Sequence, residues 1–325
     1  MKRFGFHALK LVYPPITNQE GEWLYKVPEV RDILRSSKLY VLGQREELLF
    51  DECSVDEETR VLAFNLKCGG IQVGPVSLAL DQFDLPDTFQ VEIGPRCFKV
   101  RKSPINPEEE PIYWCTPNTL LTEWFNDLVE LNGIESPWEL MRFRMHYVGI
   151  SKENDSFQRL FGTGHKARTS ILTNERQITP EARVSDELVL FMFQVEPSTF
   201  ETCITEEDIE SMWLEPGQFP DQQTYAADAE KALVNIMDSK YNEKKYPNYP
   251  KGIDGLYGKG LDRYGFHFEE LVEFVTDKCS IRGGKPFGDE EPDLILVEGD
   301  EVELVSVSQM KANSEQPPTS EDPPA

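Results

Sequence analysis

Close cysteine pairs are missing from this chain. Its six cysteines, Cys53, Cys68, Cys97, Cys115, Cys203 and Cys279, form no CxxC. Neither a zinc site nor a disulfide framework is expected, which fits a reducing, cytoplasmic setting. No apolar run reaches the length of a membrane span, so no membrane partner is expected. The opening segment Met1–His7 has basic residues with no apolar stretch behind them, and it reads as a first strand rather than a targeting leader. A glycine-rich P-loop and a dinucleotide fingerprint are also absent, which sets aside the common phosphate-cradling folds. Basic residues are few: 33 lysines and arginines against 58 acids leave a net charge of −25. As an average, that balance opposes contact with a polyanion.

The charge is not evenly spread. Between Met141 and Arg176, seven basic residues face three acidic ones, and between Lys240 and Arg263 six face three. From Asp289 to Ala325 eleven acids stand against one lysine. The two basic windows could meet phosphates, while the acidic tail could screen them. With 39% hydrophobic and 11% aromatic residues in 325, most of the chain has the material to fold into two or three units.

Residues 1–103 alternate short apolar runs with Gly, Pro and Asp turns and predict a β-rich N-terminal domain, a possible surface for a protein partner. Leu39–Leu42, Val61–Leu66, Phe89–Ile93 and Cys97–Val100 are its expected strands, and Pro28–Ser36 an expected helix. Residues 104–111 read as a linker. Residues 112–250 predict an α/β (α+β) core: a strand at Ile112–Trp114, a helix at Thr116–Leu131, a strand at Met141–Val148 and a helical stretch at Asp155–Leu172. A wholly apolar strand at Leu188–Val195 follows, with a short helix at 206–213 and a longer one at Thr224–Asp238. Residues 251–309 predict a small C-terminal α+β extension with a helix at Phe266–Asp277 and two strands beyond it. Residues 310–325, rich in proline and acid, predict a disordered tail whose removal should raise affinity for a polyanion at low salt.

Within the core an ordered set of polar residues stands out. Tyr147-Val148-Gly149 closes a strand, Lys152 follows, Arg159 and His165 fall on the next helical stretch, Glu230 lies on a later helix and Asn242 just beyond. Ala226, Glu230, Leu233 and Met237 recur at helical spacing, so the carboxylate belongs to the buried stripe and needs a cation or a strong donor. A hard divalent ion accepts a single carboxylate and keeps several waters.

This order resembles the GIY-YIG nuclease superfamily over about residues 112–250, with Tyr147-Val148-Gly149 standing for the second half of the signature. The resemblance implies a metal-dependent endonuclease that hydrolyses DNA phosphodiesters with Mg2+ or Mn2+. It implies Tyr147 as general base, Arg159 as phosphate clamp and Glu230 as metal ligand, with Lys152, His165 and Asn242 as auxiliaries. The family's first strand supplies another tyrosine about ten residues upstream, where this chain has Pro137-Trp138-Glu139-Leu140. Tyr113 is therefore the expected first-strand tyrosine, with the Thr116–Leu131 helix inserted in the hairpin. The alternative reading is a catalytically degenerate nuclease scaffold used for binding protein or nucleic acid.

Overall fold

The most apolar segments of the chain become the middle of one ten-stranded sheet. The computed structural model describes residues 2–307 apart from 105, 107–108, 136, 153–154, 163, 203–219 and 289. The helix expected at 206–213 and the tail expected at 310–325 fall outside the described residues. The fold is mixed α and β.

Leu39–Gln44 is buried at every position, as befits a strand covered on both faces. It pairs antiparallel with Arg142–Ile150 on one side and with Leu188–Thr202 on the other. Leu188–Thr202 pairs antiparallel with Lys2–Leu11, which in turn runs parallel to Arg263–Phe268. The hairpin Leu294–Glu298 and Glu301–Val305 extends that edge, while Glu273–Val275 and Ser280–Arg282 extend the other. The sheet curls towards closure. Phe268 and Phe274 pack with ring centroids 5.1 Å apart, although four strands lie between theirs in the sheet order.

Side-chain alternation sorts the two faces. Tyr40, Leu42, Leu188, Leu190 and Met192 join a core with Leu24, Val30, Leu34, Phe157, Leu160 and Ile171. Apart from Phe157, which directly precedes the helical turn Gln158–Gly162, these come from that turn and the helices Asn18–Leu24, Pro28–Leu34 and Lys166–Asn174. Leu39, Val41, Val189, Phe191 and Phe193 face the other way and belong to the core of the helix Gln222–Met237. That helix is capped by Asp221, whose Oδ1 accepts from Thr224 N–H at 2.7 Å, and it ends at Asp238 in the left-handed region.

Several expectations change. The segment Phe266–Asp277 forms strands Arg263–Phe268 and Glu273–Val275, not a helix. Phe266 and Phe268 are both fully buried, a period-two pattern that cross-strand pairing rewards. The helix expected to run to Leu131 covers only Pro117–Phe125, because Asp127 adopts a positive φ and Leu128 is exposed. The Asp155–Leu172 stretch splits into the turn Gln158–Gly162 and a separate helix that starts after His165.

The division drawn at residue 103 is not a sheet boundary either. Lys2–Leu11 and Leu39–Gln44 are interior strands of the main sheet, and so is Arg263–Phe268 from the expected C-terminal extension. What is inserted is the segment between Gln44 and Arg142. It folds into a four-stranded sheet (Leu48–Asp56, Val61–Cys68, Ile71–Ala79, Leu131–Asn132) and a three-stranded one (Phe89–Ile93, Phe98–Lys102, Tyr113–Cys115). No helix among the described residues is long and apolar enough to cross a membrane.

Candidate active site

The central pairing of the sheet decides which side chains meet. Gly149 sits directly opposite Tyr40 across the antiparallel ladder, after a register shift between Met145 and Tyr147. Residues two apart share a face, so Tyr147 projects beside Tyr40, with ring centroids 6.1 Å apart. A Cβ built on Gly149 would lie 2.6 Å from Tyr147 Cε1 and 2.7 Å from both Cζ and Oη of Tyr40. Only glycine lets the two rings close over this position.

His165 completes the cluster. It caps the helix Lys166–Asn174, its Nδ1 accepting from Arg168 N–H at 3.1 Å. Burial, then the charges of Arg159 and Arg168, push its pKa down to about 4, so the ring is neutral at pH 7. With Nδ1 an acceptor, Nε2 carries the proton and donates to Tyr40 Oη at 2.9 Å. Arg159 Nε donates to the same oxygen at 3.2 Å. His165 and Arg159 thus both donate to Tyr40 Oη, and Tyr40 in turn lowers the Tyr147 pKa. Burial, then the charge of Glu230, push the Tyr147 pKa up, while Tyr40 and the Arg159 charge pull it back. Tyr40 is fully buried, which holds its hydroxyl protonated far above neutral pH.

Glu230 is carried by the helix Gln222–Met237, and its charge raises the pKa of Tyr40, Tyr147 and Arg159. Burial raises its pKa, and Tyr246 Oη donates to its Oε2 at 3.2 Å. The charges of Lys152, Lys231 and Lys244 lower it in part. Lys152 is exposed just beyond the strand end.

Asn242 is near but turned elsewhere. Its Oδ1 accepts from Val148 N–H at 2.9 Å, and its Nδ2 donates to Val148 C=O at 2.7 Å. Ser239 Oγ donates to the same Oδ1 at 2.7 Å. The amide thus imitates one residue of a neighbouring strand and holds the backbone beside Tyr147. Asn242→Ala should cost about 2–4 kcal/mol, because it strands a buried N–H and C=O. Lys152→Ala should stay within about 0.5 kcal/mol. Urea denaturation of the two variants checks this, and equal stabilities would remove Asn242 from its anchoring role.

Tyr113 is not part of the cluster. It lies in the three-stranded sheet, paired with Val100, stacked on Phe83 and donating to Glu123 Oε2 at 2.5 Å. The antiparallel neighbour of Arg142–Ile150 is Leu39–Gln44, so the tyrosine beside Tyr147 is Tyr40 and not Tyr113. Arg168, from the same basic window, is also committed: it is buried, bonds Asn18, Glu22 and Leu160 C=O, and lies over the Phe161 ring.

No family model, curated protein or solved structure matches this chain. The geometry therefore stands alone. It joins Tyr147, Arg159, His165 and Glu230, adds Tyr40 and Tyr246, and moves Asn242 to a supporting place. The accessible members are Tyr147, Arg159 and Glu230, whereas Tyr40, His165 and Asn242 are buried behind them. Tyr40 had a visible signal in Leu39-Tyr40-Val41-Leu42-Gly43, an apolar strand carrying one aromatic hydroxyl. Nothing in that segment marks Arg142–Ile150 as its partner.

Proposed function

We propose that this protein is a metal-dependent endonuclease that hydrolyses DNA phosphodiesters with a GIY-YIG-like site. The observation that carries the reading is the meeting of Tyr40, Tyr147, Arg159 and His165 on adjacent antiparallel strands and the following helical segment, with Glu230 opposite. The first-strand tyrosine that the family pattern requires is Tyr40, displaced upstream by the segment inserted between Gln44 and Arg142.

In this reading Tyr147 acts as its phenolate, favoured by the Tyr40 hydroxyl and the Arg159 charge against the push of burial, and takes the proton of the attacking water to become the neutral phenol. Its oxygen is steadied by the Tyr40 proton, and Tyr40 is held by His165 and Arg159. The neutral His165 cannot act as a cation here; it fixes the direction of the hydrogen-bond chain. Arg159, an exposed guanidinium, binds the scissile phosphate.

Glu230 fits a single hard cation. It is a half-buried carboxylate with one oxygen held by Tyr246, and an ion of the Mg2+ or Mn2+ type completes its shell with water. When bound, such an ion supplies Lewis-acid stabilisation to the leaving oxygen. Among the described residues no group of three or more His, Cys, Asp or Glu side chains could hold a metal ion, so Glu230 would be the single carboxylate ligand.

Glu230→Ala should lower metal-dependent cleavage of plasmid or single-stranded DNA by roughly 10²–10³-fold, equivalent to about 3–4 kcal/mol of lost charge stabilisation. Folded wild-type protein that cuts neither substrate with Mg2+ or Mn2+ would overturn the nuclease reading.

A second reading, a binding module on a degenerate scaffold, draws on the ion pairs around the cleft. Lys166 is 2.6 Å from Glu243, Lys240 2.5 Å from Glu175 and Lys245 2.8 Å from Asp238, so much of the local positive charge is already answered. The same cleavage assay separates the two.

A further inference from the structure

A cavity of about 800 Å3 lies apart from the tyrosine cluster, between the helices Asn18–Leu24 and Pro28–Leu34 and the inserted segment. The two sites use different faces of these helices. Tyr25 and Arg31 point to Gln158 beside Arg159, while Trp23, Val30 and Ile33 line the cavity. Its volume falls in the range of small-molecule sites.

The walls are apolar and open. Trp23 is 57% exposed and Ile33 51%, and the Trp23 ring meets Trp114 edge-on, centroids 6.2 Å apart. Large aromatic side chains left open around a concavity suit a flat ring that can lie against them.

The floor carries a charge without a counter-ion. Arg45 is only 6% exposed, yet no carboxylate among the described residues lies in ion-pair contact with it. Its Nη2 donates to Asn118 Oδ1, while Nη1 has only Glu46 C=O at 3.4 Å and Cys68 Sγ at 3.5 Å. Its Nε is buried with no hydrogen-bond partner among the described residues.

The cavity's buried acids are already occupied. Glu20 accepts from Thr17 N–H at 2.6 Å, and Glu187 accepts from Ile178 N–H, Thr179 N–H and Gln44 Nε2. Asp186 holds Arg183. These carboxylates are satisfied by their own donors, whereas Arg45, though the charge of Glu20 acts on it, keeps an unpartnered Nε, and a buried guanidinium is costly until an acceptor meets it.

We propose that this cavity binds a planar aromatic molecule bearing an anionic group, its ring against Trp23 and Trp114 and its anion at Arg45. Aromatic carboxylates and nucleoside monophosphates share this chemistry, and the test separates them. The full-length chain is titrated calorimetrically with 1-naphthoate, with AMP and with inorganic phosphate.

One aromatic anion, or both, should bind at one per chain, and phosphate alone should not. Binding of naphthoate alone identifies the carboxylate class, and binding of AMP the nucleotide class. Trp23→Ala, at an exposed position, should weaken binding about tenfold or more, a loss of the size that one stacked ring contributes. Arg45→Met should do the same, and if it fails to fold, Trp23→Ala decides. Glu230→Ala should bind as wild type does, which keeps this result separate from the nuclease assay. No saturable binding of either aromatic anion, equal binding of phosphate alone, or binding unchanged by Trp23→Ala would overturn the proposal.

Discussion

If the proposed nuclease reading holds, Gly149→Ala should lower DNA cleavage by about 100-fold or more, while the chain stays folded. The added methyl has nowhere to go: it would sit 2.6–2.7 Å from atoms of both Tyr147 and Tyr40. Either ring can yield only by leaving the hydrogen-bond chain that runs from His165 through Tyr40 to Tyr147. Displacing a catalytic group by about 1 Å can cost roughly 100-fold in rate. The accompanying strain should be about 1–3 kcal/mol, as for other overpacked sites. Gly70→Ala is the matching control, since a Cβ there meets nothing within 4 Å. Cleavage rates and urea midpoints for the two variants give the comparison. Full activity in Gly149→Ala would mean that the tyrosine pair does not set the rate.

Acid should destabilise the fold by roughly 3–4 kcal/mol between pH 7 and pH 5. His7, His146 and His165 are buried, and burial is the main cause that lowers each pKa from 6.5 to about 4. Unfolding frees each ring to take a proton at its ordinary value, whereas the folded chain resists protonation until much lower pH. Their contribution is therefore complete above pH 6.5 and drains away as pH falls towards 4, each losing on the order of 2 kcal/mol by pH 5.

Glu270 works in the opposite direction. Burial raises its pKa to about 7, so the folded state gains a proton first and is stabilised on acidification, which offsets about one histidine. The smaller upward shifts of Glu20, Asp228 and Glu230 act in the same sense as Glu270.

His7 isolates the effect. Neither of its ring nitrogens has a partner among the described residues, and its ring packs against Tyr225 and Phe266 at 4.8 and 5.4 Å. His7→Phe keeps a ring in that space and removes the titration, so the acid loss should shrink by about 2 kcal/mol. Urea denaturation at pH 7 and pH 5 measures it. An unchanged pH dependence would show that His7 titrates alike in both states.

The elements that local pattern determines were legible. Leu188–Val195, without a charge, reads as a covered strand, and the helix expected at Thr224–Asp238 shows its apolar stripe in the sequence itself. Tyr147, Arg159, His165 and Glu230 could be picked out because their order along the chain follows the order of the elements that carry them. Phe266–Val275 misled because Phe268, Leu271 and Val275 stand at helical spacing while Phe266 and Phe268 also alternate, and only pairing with Lys2–Leu11 and Arg142–Ile150 decides between them.

By itself, then, the sequence determined the strand containing Tyr147, the helix carrying Glu230, the scarcity of positive charge and its concentration in two windows. Each of these is a property of neighbours along the chain. Tertiary structure alone decided that Tyr40 rather than Tyr113 faces Tyr147, that Asn242 braces Val148, and that Arg45 is buried without a counter-ion. Those outcomes depend on which strand edges meet and in what register. Hydrogen-bond ladders join segments without regard to the length of chain between them, so no local pattern records the choice.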